Sequence, residues 1–162
     1  MVFLRAASLV ILAIWVGGLA VLGLVAAPTI FAVLQAQDPV GGRALAGQVF
    51  GAVFERFQHV SWVLGVLFAA SLVARALLGP RPGRLAWRMW AVAGMLALSL
   101  TTTAFIAPRI DRIRLDTSGA VASLPDSDPR KAEFGRLHGL SSIFMIATLL
   151  LGTGLYWLEA DE

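Results

Sequence analysis

The sequence contains no cysteine. That excludes disulfides, thiolate metal sites and a cysteine nucleophile. Charge is scarce too: only 14% of the residues are Asp, Glu, Lys or Arg, against about 25% in soluble domains. What charge there is avoids four stretches, Ala6 to Gln37, Phe57 to Ala74, Met89 to Pro108 and Leu137 to Leu158. Histidine occurs twice, as His59 and His138. No Walker A loop, nucleophile elbow or zincin motif is present, so those chemistries have no carrier here.

What remains is hydrocarbon. Apolar residues make up 58% of the chain, and the mean hydropathy is +0.79. A helix needs about 20 apolar residues to cross a bilayer. Backbone groups inside lipid must bond within their own segment, so such runs are helices. The expected fold is all-α, an integral membrane four-helix bundle forming a single domain. Its spans are placed at about 6–27, 44–78, 85–107 and 133–158, with a polar connector at 108–132. The sequence pI near 10.6 would suggest nucleic acid in a soluble chain. Here the arginines lie between spans, so the lipid bilayer is the expected partner and nucleic acid is not. The N-terminal apolar run exceeds a signal-peptide core and meets Pro28, so it reads as a retained first helix.

Punctuation divides these windows. Pro28 predicts a break after the first span, and "GPRPG" one after the second. "DSDP" predicts the start of the fourth helix, with Asp128 as N-cap and Pro129 at the first position. In "SLTTTAF" the hydroxyls are expected to bond their own i−4 carbonyls and bend the helix. Small residues four apart, such as Gly65 with Ala69 and Thr148 with Gly152, allow close helix approach in lipid. Trp87, Trp90, Tyr156 and Trp157 suit interfacial belts, whereas Trp15 falls near mid-span. Arg5, Arg75, Arg81, Arg84 and Arg88 share one side. We expect that side, with both termini, to face the cytoplasm of a bacterial inner membrane.

A weak repeat runs through the chain. "VAAPTIFA" and "AFIAPRID" each end a span on Ala-Pro; "ERFQHVS" and "GRLHGLS" each open one on arginine, histidine and serine. This predicts two helical hairpins related by a pseudo-twofold axis. Topology then brings His59 and His138 to similar depth at one end, where Glu55, Arg56, Arg109, Glu133, Arg136 and Ser141 complete a polar cluster. The opposite surface offers only arginines and aromatics. The two imidazoles could be axial ligands of haem b, hold a metal ion with carboxylate help from Glu55 or Glu133, or serve proton or quinone chemistry. The simpler alternative, which we favour, binds nothing: an interfacial histidine bonded to a carbonyl, a carboxylate or water.

In order and spacing, "VAAPTIFA", "LAGQVFGAVF", "IAPRIDRIR" and "FGRLHGLSSI" resemble the transmembrane-protein-205-like family, catalogued as domain of unknown function 4149. The resemblance implies a four-span helical membrane protein and carries no assigned activity. The matching residues are Pro28, Phe31, Pro108, Arg109, Arg136, His138, Gly139 and Ser141; His59 is not among them. In general layout the family is also similar to copper-resistance D and protoporphyrinogen-oxidase-type membrane proteins, from which no ligand is carried over.

Two functional readings follow. One is an accessory or scaffolding subunit that docks, through the connector from Ile110 to Lys131, on a membrane-protein partner or on a second copy of itself. The alternative is a haem- or metal-handling protein using His138 with His59.

Overall fold

The computed structural model describes residues 2–79 and 81–161. Met1, Pro80 and Glu162 lie outside them, and with them one proline of "GPRPG". Within the described residues the architecture is all-α, an integral membrane bundle. Four helical rods are each long and apolar enough to cross a membrane.

The first rod joins α1 (Val2–Val21) to α2 (Ala27–Gln37) through a π-helical turn, Leu22–Ala26. The expected break at Pro28 is absent. A proline inside a helix strikes the carbonyl four residues back. Here the Ala27 N–H bonds the Leu22 carbonyl, five residues back, which shifts the register just before the ring. Pro28 thereby enters the first turn of α2 instead of ending the rod.

The second rod is α3 (Gly42–Leu78). The third joins α4 (Leu85–Thr101) to α5 (Ala107–Asp116) through a second π turn, Thr102–Ile106. The Ala107 N–H bonds the Thr102 carbonyl, and Pro108 follows at once. Both Ala-Pro pairs therefore use the same device at the same point of a rod. As expected, the Thr102 and Thr103 hydroxyls donate to the Leu98 and Ser99 carbonyls, at 2.9 and 3.1 Å.

The fourth rod is α6 (Pro129–Ala160). Asp128 caps it, accepting from the Arg130 N–H at 2.9 Å. The Arg130 side chain also donates to this carboxyl and holds it below the usual carboxylate range. The Gly41 and Val40 N–H groups lower Asp38 in the same way, in the turn before α3.

The rods pack in a ring. α1 and α4 each contact both α3 and α6, while α2 lies along α3 and α5 along α6. Leu12, Trp15, Leu19, Phe68, Leu72, Met95 and Leu155 fill the centre. Trp15, the tryptophan that no belt explained, is fully buried there. Trp87, Trp90 and Trp157 face outward near the other ends of their rods. The connector is tied down at intervals. Ile110, Ile113 and Val121 are buried, and Lys131 Nζ donates to the Leu124 carbonyl. Gly119, at φ +80°, supplies the left-handed turn that brings the connector against Ala44.

Candidate functional site

The polar end predicted from the histidines is assembled from α3, the second π turn, α5 and the start of α6. Glu55, Arg56, Arg109, Glu133 and Arg136 are all exposed there. Among the described residues, no hydrogen bond or ion pair joins them. His59 is exposed, with its ring edge-on to Trp62 at 4.9 Å between centroids. His138 stacks on Phe134 at 6.1 Å and lines a cavity that His59 does not. The two imidazoles thus have different aromatic neighbours, Trp62 for His59 and Phe134 for His138. Among the described residues there is also no cluster of three His, Asp or Glu with metal-ligand spacing.

What organises this end is Arg114, which the sequence reading passed over. Its guanidinium lies 5.7 Å from the centre of the Phe134 ring and donates to Asp111 at 3.3 Å. It needs room beside α3. A Cβ at Gly47 would stand 3.1 Å from one of its nitrogens, and a Cβ at Gly51 3.3 Å from another. The Gly-x-x-x-Gly spacing in "GQVFG" is the signal that reveals this berth. Arg114 also divides two cavities. One, of about 250 Å³, is bounded by Glu55, Gln58, Thr102, Thr103, Asp111 and Ser141. The other, of about 420 Å³, is bounded by Arg43, Lys131, Phe134 and His138. Of the predicted cluster, Glu55 and Ser141 thus share the first cavity, and His138 lines the second.

The opposite end is not merely arginines and aromatics. Glu159 is fully buried and pairs with Arg75 at 2.6 Å and with Arg88. The three side chains are 0, 8 and 2% exposed. Arg88 also donates to the Leu158 carbonyl, and Arg5 to the carbonyls of Glu159 and Ala160. Arginines from α1, α3 and α4 therefore converge on the last turn of α6. The fourth span expected to end at 158 leaves Glu159 outside it, whereas the helix runs on to Ala160. Its register gives the acid away: Thr148, Gly152, Leu155 and Glu159 form one buried stripe. Nearer the centre, Ser8 and Ser71 share a hydrogen bond of 2.8 Å, and Trp62 donates to Ser99 at 2.9 Å.

The chemistry available is therefore divided. Buried charge ties the helices together at one end, while the two cavities beside Arg114 sit at the other. No curated protein matches the chain, and no solved structure does. The sequence model of one family, described as Domain of unknown function (DUF4149), matches residues 10–118. That stretch holds the first rod from residue 10 on, the second and third rods and both π turns, and it stops before "FGRLHGLS". Covering well over half of the sequence, the match settles the relationship: this chain belongs to the DUF4149 family.

Proposed function

We propose that the protein is a non-catalytic accessory subunit of a bacterial inner-membrane complex. Within its family we read it as transmembrane-protein-205-like, on the order of its Ala-Pro and "FGRLHGLS" motifs. The density of arginines around Arg75, Arg81, Arg84 and Arg88 supports cytoplasmic termini. The observation that carries the docking role is on α3. This helix has 37 residues, about 55 Å at 1.5 Å per residue, where a bilayer core needs about 30 Å. Its uncharged window from Phe57 to Ala74 already fills that core. Leu45, Val49 and Val53 lie beyond the charged pair Glu55 and Arg56, four residues apart on one face, and all three are exposed. An apolar stripe outside the hydrocarbon has no reason to stay bare in water. A membrane-protein partner seated beside the bundle would cover it.

For the haem or metal alternative, no group of three His, Asp or Glu able to hold an ion stands among the described residues. Photo-crosslinking tests the docking role. A photoreactive side chain at Val49 is expected to give one discrete protein adduct in native membranes, lost when Leu45 and Val53 are changed to Asp. The same probe at Ile146, on the lipid face, should give lipid adducts only. Lipid adducts alone from Val49 would refute docking. An adduct of twice this chain's mass would replace the accessory role with self-association.

A further inference from the structure

The cavity on the His138 side of Arg114 carries an inference independent of the docking role. It measures about 420 Å³ and is walled by Arg43 from α3, Arg114 from α5, and Lys131 and His138 from α6. No carboxylate lines it. Asp111 and Asp126 do touch two of these cations, Arg114 at 3.3 Å and Lys131 at 2.7 Å. Both acids are mainly exposed and lie outside the wall, so they hold the cations in place while leaving the cavity net positive. Apart from Gln48, the other side chains lining it are apolar, with the Phe134 ring held between Arg114 and His138. The volume is that of a small-ligand site.

From these features we infer that the cavity binds a phosphate group borne on an apolar body. Arginine forks match phosphate oxygens two at a time. The His138 ring adds a further N–H donor, and Phe134 with Val121 and Ala122 receives the apolar part. His138 lies two residues inside Arg136, where the charge-free stretch of the fourth rod begins. From headgroup level at His138 the cavity extends outward along α3 as far as Arg43, within reach of a phospholipid phosphate and of a soluble organophosphate alike.

Native mass spectrometry in detergent tests this, with phosphatidylglycerol as one probe and inorganic phosphate as the other. Wild-type protein is expected to hold one equivalent of a probe saturably. Arg43→Gln should weaken it about tenfold, as expected for one lost charge-assisted bond. Arg43 is exposed, and among the described residues its side chain makes no hydrogen bond or ion pair, so this variant reads binding without disturbing the fold. Arg114→Gln should weaken it at least as much, with the melting temperature measured alongside. Arg81→Gln with Arg84→Gln, at the other end, should leave that equivalent in place. Retention of phosphatidylglycerol undisplaced by phosphate assigns a lipid headgroup; saturable phosphate binding without the lipid assigns a soluble ligand. Binding of neither probe, or binding unchanged in Arg43→Gln, would overturn the inference.

Discussion

Replacing Glu159 by glutamine is expected to destabilise the bundle by about 3–5 kcal/mol, the usual cost of removing one member of a buried ion pair. The amide keeps the volume but removes the countercharge of two guanidiniums that come from different helices. Arg75 and Arg88 are almost fully buried, so water does not compensate. Unfolding in mixed micelles, followed by tryptophan fluorescence, would measure the loss. Asp161→Asn, two residues away and exposed, should stay within about 0.5 kcal/mol of wild type. Changing Arg75, Arg88 and Glu159 together to Met should recover most of the stability, because apolar side chains of similar volume satisfy such a site. A Glu159→Gln protein within 1 kcal/mol of wild type would show that the network does not fasten α6.

The second large effect is expected at Gly65. A Cβ there would lie 2.6 Å from Leu96 Cδ2 and 2.9 Å from Trp15 Cη2. Leu96 can rotate away. Trp15 cannot, being fully buried between Leu12, Phe68 and Leu72. Gly65→Ala should therefore cost about 1–3 kcal/mol, the range for overpacking a filled core. Gly17→Ala is the matched control on the neighbouring helix, since no atom lies within 4 Å of its added Cβ. There the expected change is neutral to about 1 kcal/mol stabilising, from helix propensity alone. A loss at Gly65 no larger than at Gly17 would mean that the close approach of α3 to α1 and α4 is not required.

The fold was legible because lipid leaves few choices. Charge-free windows of helical length must be helices, and "DSDP" carries its own cap chemistry. Where reading failed, a local rule met a tertiary solution. Pro28 breaks a regular α-helix, but a π turn placed just before it lets the rod continue. Glu159 fell outside the expected fourth span because its charge outweighed its register with Leu155. The histidines drew attention for their rarity, yet both lie on exposed faces that hydropathy windows do not resolve. Arg114 was hidden for the opposite reason. It is one of several arginines in the connector, and only the glycines of α3, far away in sequence, single it out.

The proposal's central claim is a division of labour: an ion-fastened bundle in the bilayer, and a helical crown standing in water that would carry the partner surface. The absence of cysteine makes its direct test simple, because a single introduced thiol is labelled alone. Nitroxide labels at Leu45 and at Ile146 would be compared in lipid nanodiscs by electron paramagnetic resonance with oxygen and a water-soluble nickel chelate as relaxants. The account predicts that the Leu45 label is relaxed mainly by nickel, about 16 Å beyond Arg56 at 1.5 Å per residue, and the Ile146 label mainly by oxygen. A Leu45 label relaxed by oxygen as strongly as Ile146 would put the stripe in lipid and contradict the account.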